Sequence, residues 1–281
     1  MTVNLQQLYE RFLAHPRVIT DSRKVVSDSI FFALKGANFD GNTFALQALE
    51  QGAVFAVVDD QELLKHADER LLWVEDVLKS LQQLGRHHRD QFDIPVIGIT
   101  GSNGKTTTKE LISAVLSTQY KTHFTQGNYN NHIGVPLTLL GMPTDTEVAV
   151  IEMGANHVGE IDFLCNIAHP THGIITNIGK AHLEGFGGIE GVKVAKSELY
   201  RYLEAYRGIA FVNRDEQYLE ALAGHKLRSI YYLKSENPDR EVADYEVKFI
   251  SCDPYVQLAF LSWREEMIEA QSNLIGIYNF N

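Results

Sequence analysis

Cysteine is scarce in this sequence, since only Cys165 and Cys252 occur among its 281 residues. Two cysteines so far apart in sequence provide neither a disulfide framework nor the paired spacing of a structural zinc site. This usage is typical of proteins that work in the reducing environment of the cytoplasm. We therefore expect a cytoplasmic protein without structural disulfides.

Long apolar runs are also absent. No stretch approaches the ~18 consecutive apolar residues that mark a membrane-spanning helix. A secretory signal peptide is not evident either, because the chain starts with MTVNLQQLYERF and lacks the required apolar segment. These absences predict a soluble protein with no membrane partner.

Positive charge is in deficit, with 25 Lys and Arg residues against 36 Asp and Glu residues and a net charge of −11. No basic run occurs, which argues against a nucleic acid as the main partner. An anionic small substrate stays compatible with the sequence, because single loops can still be positive. Hydrophobic residues make up 44% of the chain, which is enough to form a core. The length suits two domains, and we expect a monomer.

The first part of the chain predicts a small α/β unit. Two helices are expected to begin after Asn4 and Asn42, whose side chains can cap a helix N-terminus. The predicted strands lie at residues 18–20, 30–34, 53–58 and 71–74. A further helix carries apolar residues from Val77 to Leu84 and leads into a polar stretch at 85–91. We place the domain boundary there, which gives domains 1–88 and 89–281.

The second part alternates strands and helices, which predicts a mostly parallel sheet with right-handed crossovers. Its predicted strands lie at residues 94–100, 121–125, 147–153, 172–178 and 209–213. Beyond residue 231 the pattern changes, and antiparallel strands are predicted at 245–251, 256–263 and 267–274. The last residues, 274–281, resemble the start of another helix, so we expect a domain that is incomplete at its C-terminal end.

A glycine-rich loop follows the first strand of this second part, in the segment Gly98-Ile-Thr-Gly-Ser-Asn-Gly-Lys-Thr-Thr-Thr108. A strand, a glycine loop, Lys-Thr and a helix form a phosphate cradle, because backbone N–H groups and the helix N-terminus point at the anion. The common G-x-x-x-x-G-K-[ST] spacing is not met, since Ile99 stands where glycine is needed. The alternative is a plain turn that enters an ordinary helix. We predict a site for a nucleoside triphosphate.

Two further strands end in residues that can serve such a site. Val148-Ala-Val-Ile-Glu152 is an apolar strand that ends in an acid, and an acid in this position typically holds Mg²⁺ near the loop. The alternative is a glutamate that only faces water. His182 follows the end of the strand at 172–178, where ligands gather in doubly wound sheets, although a lone loop histidine is usually just solvated.

Lys196 lies on the apolar stripe of a predicted helix, together with Val192, Leu199 and Leu203. One interpretation is snorkelling, in which the aliphatic stem lies on the core and the ammonium reaches water. The other is a partly desolvated lysine with a lowered pKa, and hence a reactive amine.

Several of these segments resemble motifs of the Mur ligases of peptidoglycan synthesis. The similar segments of the second part are Gly98–Thr107, Glu152–Ala155, Gly159–Ile161, Thr176–Ile178, Ala181–Gly187 and Lys196–Leu199. In the first part, Thr20–Arg23, Ile30–Gly36 and Asp40-Gly41 are similar to the nucleotide-sugar domain of that family. The asparagine-rich stretch Gly127–Pro136 is similar to a substrate loop of the members that add D-alanyl-D-alanine to UDP-N-acetylmuramoyl-tripeptide.

The resemblance implies an α/β fold and an ATP-dependent acid–amino-acid ligase that works through an acyl phosphate. A small N-terminal UDP-sugar-binding domain would precede a P-loop central domain, whose mostly parallel sheet also carries antiparallel strands. The family normally continues into a Rossmann-like C-terminal domain that binds the incoming amino component, and that domain is absent here. We therefore expect a truncated chain that is inactive alone, and some relatives are fused further on to an alanine racemase.

The resemblance also implies roles for single residues. ATP would be bound by Gly101, Ser102, Asn103, Gly104, Lys105, Thr106 and Thr107, and by Asn279 near the adenine. Two Mg²⁺ ions would be held, one by Thr106 with Glu152 and one by His182 with Lys196. The lysine that matches Lys196 is carbamoylated in relatives, and Lys105, His182 and Lys196 would form the catalytic set. Ser22 and Arg23 would lie near the uridine diphosphate, and Asn130 and Asn131 near the sugar–peptide.

Three alternatives stay open at this point. The chain can be another Mur ligase, or a ligase similar to folylpolyglutamate synthase that shares the ATP site. It can also be a nucleotide-binding module without ligase chemistry, in which Lys196 is an ordinary lysine. The asparagine-rich loop and the segment Asp21-Ser-Arg23 argue against the folate enzyme.

Overall fold

The computed structural model describes residues 3–179, 183–236, 243–262 and 264–277. These residues fall into two compact units. Unit 1 comprises Met1–Gly98, Thr106–Ala155 and Gly159–His169, and unit 2 comprises Ile99–Lys105, Asn156–Val158 and Pro170–Asn281. This grouping follows contacts within the chain, and the division at 88/89 stays a prediction about domains.

Helices and strands alternate along most of the chain. The helices are α1 (Leu5–Ala14), α2 (Ala45–Glu50), α3 (Val77–Arg89), α4 (Lys105–Leu116), α5 (Gly134–Leu140), α6 (Glu160–Ala168), α7 (Leu183–Phe186), α8 (Ile189–Ala205) and α9 (Gln217–Ala223). Short 3₁₀ turns lie at Ser22–Lys24, Gly41–Phe44 and Gln61–His66. The strands are β1 (Arg17–Ile19), β2 (Ser29–Phe32), β3 (Lys35–Gly36), β4 (Phe39–Asp40), β5 (Ala53–Val58), β6 (Leu71–Trp73), β7 (Val96–Thr100), β8 (Thr122–Phe124), β9 (Val148–Glu152), β10 (His172–Ile175), β11 (Ile209–Asn213), β12 (Arg228–Lys234), β13 (Tyr245–Cys252), β14 (Tyr255–Leu261) and β15 (Met267–Ile275).

Two main sheets result, and both confirm the predicted α/β class. A four-stranded parallel sheet has the order β1-β2-β5-β6, with Val18 opposite Ile30 and Val57 opposite Leu72. A larger sheet has the order β15-β14-β13-β12-β11-β10-β7-β9-β8. Its strands from β10 to β13 pair in parallel, while β13, β14 and β15 pair antiparallel, as predicted for the last three strands.

Apolar residues at the predicted positions form the cores. In unit 1, the predicted cap Asn4 accepts a hydrogen bond from Gln7 N at 2.9 Å, and α1 then buries Leu8 and Phe12. In unit 2, α8 packs its buried Leu199 and Leu203 against Gly173 of β10, where a side chain would collide with both. β12 was not among the predicted strands; its five central residues are all half-buried, and it pairs in parallel with β11 and β13.

Asn42 does not cap a helix as predicted. The 3₁₀ turn Gly41–Phe44 is capped instead by Asp40, whose carboxylate accepts from Asn42 N at 2.9 Å. Asn42 is buried, and its amide group donates to Asp40 and to Asp59, both at 2.8 Å. The side chain predicted as a cap is therefore part of a partly buried polar network, because the cap of this turn lies two residues earlier, at Asp40.

Helix α3 continues to Arg89 and so includes most of the polar stretch at 85–91, where the sequence suggested a domain boundary. His88 and Arg89 are buried in unit 1, and the Arg89 guanidinium donates to the backbone oxygens of Phe92, Ala168 and His169 at 2.7–3.1 Å. The stretch is polar in sequence because it satisfies backbone carbonyls within the fold. Along the described residues, no helix is both long enough and apolar enough to span a membrane.

Replacing Arg89 tests this packing. We expect Arg89→Met to lower the free energy of unfolding by about 2 kcal/mol, because three backbone carbonyls lose a charged donor. The matched control is Arg17→Met, an exposed arginine at the start of β1, which should change stability by less than about 0.5 kcal/mol. Chemical denaturation measures both values, and equal losses in the two variants would contradict the assignment.

Candidate functional site

The glycine loop of residues 101–104 joins β7 to α4, as the sequence predicts. Gly101 has a φ of +145°, which side chains rarely adopt. A Cβ atom at this position would lie 2.0 Å from Oγ1 of Thr176 in unit 2. Glycine is therefore required at 101 both by the backbone conformation and by the close approach of the next segment.

Residues 176–179, which we call the strap, run beside this loop within unit 2. The N–H of Thr176 donates to Thr100 O at 2.9 Å, and the N–H of Ser102 donates to Asn177 O at 3.0 Å. The Ser102 hydroxyl accepts from Gly179 N at 2.9 Å and donates to Gly179 O at 3.2 Å. The strap thus extends the pairing of two strands beyond their ends and fixes the start of the loop.

Asn103 is the most firmly held residue of the loop. Its N–H donates to the Asn177 side-chain oxygen at 3.0 Å, and its carbonyl accepts from Asn177 Nδ2 at 3.1 Å. The Thr176 hydroxyl donates to the same carbonyl at 2.6 Å. A phosphate that accepts from the Asn103 N–H has to compete with the Asn177 side chain for it. The Asn103 carbonyl is already hydrogen-bonded to Thr176 and Asn177.

The far end of the strap is held by Tyr218 at the start of α9. The Tyr218 hydroxyl accepts from Ile178 N at 3.2 Å, and burial raises the pKa of Tyr218 to about 12. The hydroxyl is therefore protonated over the whole neutral range.

Lys105 begins α4 directly after the loop. Its ammonium donates to the carbonyls of Gly101 at 2.8 Å and Ser102 at 3.2 Å. The charge is therefore held at the loop, where an incoming phosphate can attract it away from two neutral acceptors.

Lys196 lies on α8 in unit 2 and is 3% exposed. Its Nζ lies 5.5 Å from the ring centre of Phe186, which also is buried. The side chain does not reach bulk water, so the snorkelling interpretation does not describe it. An amine placed against an aromatic face in this way is removed from most of its hydration.

Glu152 ends β9 in unit 1 and is 1% exposed. One carboxylate oxygen, Oε1, accepts from Asn130 Nδ2 at 2.8 Å. The other, Oε2, is buried and has no hydrogen-bond partner among the described residues. A buried carboxylate oxygen without a donor is costly, and a divalent cation is the partner that would satisfy it. The donor set therefore fits Mg²⁺.

No group of three or more His, Cys, Asp or Glu side chains that could hold a metal occurs within the described part of the chain. Mg²⁺ commonly uses one or two protein carboxylates together with waters and substrate phosphates. Thr106 and Thr107, the predicted hydroxyl ligand and its neighbour, are exposed on the first turn of α4.

The predicted substrate residues have structural contacts of their own. Asn130 orients Glu152, as described above, and its carbonyl accepts from Gly154 N at 2.8 Å. The Asn131 side-chain oxygen accepts from the N–H groups of Ile133 and Gly134 at 3.1 and 2.9 Å, which supports the start of α5.

Ser22 and Arg23 lie in a 3₁₀ turn beyond the carboxyl end of β1. Arg23 donates to both carboxylate oxygens of Asp21, at 2.9 and 2.8 Å, and these hydrogen bonds lower the pKa of Asp21 to about 2. The guanidinium is otherwise well exposed, so it can reach an anionic ligand. Two predicted site residues, His182 and Asn279, lie outside the described residues.

Sequence reasoning assigned no role to Thr176, Asn177 or Lys109. The first two belong to a quoted motif, but only the structure shows that their side chains hold Asn103. Lys109 is a fully buried lysine of α4, one helical turn after Lys105. The signal that could have found it is its polarity on the face of α4 that carries the also buried Ser113.

Comparison with known proteins shows which protein family this chain is similar to. The model of the Mur ligase middle domain matches residues 99–281, and a Mur ligase family model described as catalytic domain matches residues 17–89. A Bacillus subtilis protein named UDP-N-acetylmuramoyl-tripeptide–D-alanyl-D-alanine ligase is 44% identical over 212 residues, which are 75% of this chain and 46% of the relative. The chain thus spans about half the length of the curated relatives it matches.

Solved structures give the same result. The chain is similar to MurF from Acinetobacter baumannii, with a TM-score of 0.83 and 32% identity over 100% of this chain and 62% of that one. It is also similar to MurF ligase from Thermotoga maritima in complex with ADP, with a TM-score of 0.79 and 29% identity over 92% of this chain and 58% of that one.

The contacts of Asn177 predict an effect on nucleotide binding. We expect Asn177→Ala to weaken binding of a non-hydrolysable ATP analogue about tenfold, because the loop loses two hydrogen bonds that pre-order it. Isothermal titration calorimetry measures the affinity. Asn273→Ala on the exposed face of β15 is the matched control and should bind like the parent chain. Unchanged affinity in Asn177→Ala would show that the strap does not order the loop.

Proposed function

The chain belongs to the Mur ligase family, and on that premise we propose that it serves in an ATP-dependent amide ligase. The reaction joins D-alanyl-D-alanine to UDP-N-acetylmuramoyl-tripeptide, a step of peptidoglycan precursor synthesis. The names of the relatives from Bacillus subtilis and Synechocystis support this choice of substrates. We place the enzyme in the cytoplasm and expect a monomer.

The observation that carries the proposal is the buried carboxylate of Glu152, whose Oε2 has no donor among the described residues. A strand-ending glutamate that only faced water would not be 1% exposed. This carboxylate supports binding of a divalent cation, and the glycine loop that precedes Lys105 separately supports binding of the phosphates of a nucleotide.

The reaction needs ATP because an amide does not form favourably from a carboxylate and an amine at neutral pH. A carboxylate oxygen of the tripeptide attacks the γ-phosphorus of ATP, and the bond from that phosphorus to ADP breaks. The resulting acyl phosphate is attacked by the amino group of D-alanyl-D-alanine. The tetrahedral intermediate then expels inorganic phosphate and loses the amine proton.

The residues of the glycine loop and of the first turn of α4 are assigned to ATP. Gly101, Ser102, Asn103, Gly104, Thr106 and Thr107 bind the phosphates, and the Lys105 ammonium moves from two loop carbonyls to the anion. Thr106 and Glu152 would hold one Mg²⁺, and His182 with Lys196 a second, to neutralise the charge that develops during phosphoryl transfer. Asn279 is assigned to the adenine.

Lys196 is proposed to be carbamoylated. A neutral amine adds to carbon dioxide and loses a proton, which converts a cation into an anionic oxygen ligand. The 3% exposure of Lys196 supports this step, because poor hydration disfavours the ammonium form.

The substrate residues are divided between the two proposed domains. Domain 1–88 would bind the UDP-sugar through Ser22 and Arg23, and the well-exposed guanidinium of Arg23 supports this role. Asn130 and Asn131 of domain 89–281 would lie near the sugar–peptide. The Asn130 amide group already orients Glu152, so a substrate contact would have to use its remaining capacity.

Phosphate release tests the proposed reaction. In the full-length natural protein, release should require both UDP-N-acetylmuramoyl-tripeptide and D-alanyl-D-alanine, and Lys105→Ala should slow it by about 100-fold or more. Lys121→Ala, an exposed lysine paired with Asp145, is the control and should leave the rate unchanged. Release that needs neither substrate, or that folates stimulate, would contradict the assignment.

Chemical rescue tests the carbamate. Lys196→Ala should lose activity, and a short carboxylic acid such as acetate should restore part of it by supplying the missing anionic oxygen. Lys193→Ala on the same helix, a partly exposed lysine paired with Glu190, should stay active without the acid. If Lys196→Ala keeps full activity, the lysine is an ordinary one.

A further inference from the structure

Lys109 is a fully buried lysine that the proposed reaction leaves without a role. It lies on α4, and its side chain is 0% exposed. Burying an ammonium is costly unless its N–H groups find partners. What Nζ contacts therefore indicates why a lysine occupies this position.

Three groups surround the Lys109 ammonium. Nζ donates to the backbone oxygen of Thr125 at 2.7 Å and pairs with Glu110 Oε1 at 2.8 Å. It also lies 5.6 Å from the ring centre of Phe124, within the range of a cation–π contact. The Glu110 carboxylate is 57% exposed and supplies the opposite charge to the buried ammonium from the surface. The contact with the buried Thr125 is the one that demands a long, donating side chain.

Thr125 connects Lys109 to Glu152 by hydrogen bonds. The Thr125 hydroxyl accepts from Glu152 N at 2.9 Å, and the Thr125 N–H donates to Val150 O at 3.0 Å. Thr125 is therefore fixed through its N–H, its carbonyl and its side chain. These hydrogen bonds fix the backbone at the end of β9. They therefore fix the point from which the Glu152 side chain extends.

The same helix carries the other expected metal ligand. Thr106 lies three residues before Lys109 on α4, hence on a neighbouring part of the same face and about 4.5 Å along the axis. Lys109 thus ties the helix that bears the Thr106 hydroxyl to the segment that holds Glu152. All these residues belong to unit 1.

We propose that Lys109 is a positioning residue that fixes the spacing between the Thr106 hydroxyl and the Glu152 carboxylate through Thr125, and so sets the affinity of the site for Mg²⁺. This inference rests on the proposed function, because it needs Thr106 and Glu152 to bind that ion. Residues that orient a metal ligand commonly contribute about 10- to 100-fold to metal affinity when they are removed.

Two variants break the connection at different points. Lys109→Met keeps the length of the side chain and removes the donor, while Thr125→Val keeps the shape and removes the hydroxyl that Glu152 N needs. Both should weaken Mg²⁺-dependent binding about 10- to 100-fold. The double variant should be little worse than either single one, because both act on one chain of contacts. Thr125→Ser, which retains a hydroxyl, should restore most of the affinity.

The measurement is the affinity of the full chain for a non-hydrolysable ATP analogue, determined by calorimetry with Mg²⁺ and with EDTA. Binding of Mn²⁺, followed by electron paramagnetic resonance, gives the metal affinity directly. Affinity in EDTA should be the same in all variants. Glu152→Gln is the reference for complete loss of the metal-dependent part.

Two control variants separate positioning from general stability. Thr138→Val removes another buried hydroxyl of unit 1, which donates to Gly134 O at 2.9 Å on α5. Glu110→Gln removes the exposed ion partner of Lys109. Neither should change the Mg²⁺ dependence. Should Lys109→Met fail to fold, Thr125→Val carries the test.

The outcomes are distinguishable. If the parent chain shows no Mg²⁺ dependence, or Glu152→Gln keeps it, the proposed metal site fails. If the parent and Glu152→Gln behave as expected while Thr125→Val and any folded Lys109→Met match the parent, only the positioning role fails. An equal loss in Thr138→Val or Glu110→Gln would also overturn it, because the effect would then follow stability or the ion pair.

Discussion

Glu152 keeps a carboxylate at 1% exposure, where it has lost nearly all of its hydration, and only one of its oxygens receives a hydrogen bond from the described residues. An ionised group is stable in such a place only when a charge or several donors replace the lost water. Asn130 orients the carboxylate through Oε1, and the Thr125 hydroxyl holds the Glu152 backbone by accepting from its N–H, while Oε2 has no donor among the described residues. A cation that arrives with the substrate would replace the hydration that the carboxylate has lost. Such a cation would explain why an acid is buried at this position.

The glycine loop of unit 2 is likewise ordered by hydrogen bonds before a ligand binds. The strap holds Ser102 and Asn103 by hydrogen bonds, so the loop does not have to lose its freedom when a nucleotide binds. Lys105 is the exception, since its ammonium rests on two loop carbonyls. A rigid cradle with one movable charge suits an enzyme that has to bind ATP and then follow a transferring phosphoryl group.

The parts of the fold that depend on patterns of neighbouring residues could be predicted from the sequence. The strand β5, the cap at Asn4 and the antiparallel C-terminal strands follow from periodicity and capping chemistry, and they occur where predicted. The roles of Asn42, Arg89 and Lys109 could not be predicted, because each side chain meets its partner only after distant segments pack together. Asn42, predicted as a helix cap, Arg89, in the stretch predicted as a domain boundary, and Lys109, which had no predicted role, are all buried. The loop itself was predictable because its residues are consecutive, whereas its strap lies about 75 residues further along the chain and needs the sheet to form.

The central claim is that the tripeptide carboxylate takes the γ-phosphoryl group of ATP before the amide forms. It is tested most directly by labelling that carboxylate with oxygen-18 and analysing the inorganic phosphate that the full-length protein releases by mass spectrometry. An acyl phosphate transfers one carboxylate oxygen to phosphate, so each phosphate should carry one labelled oxygen. Phosphate that is released together with the amide product but without the label would contradict the account, because its oxygen would then have come from water.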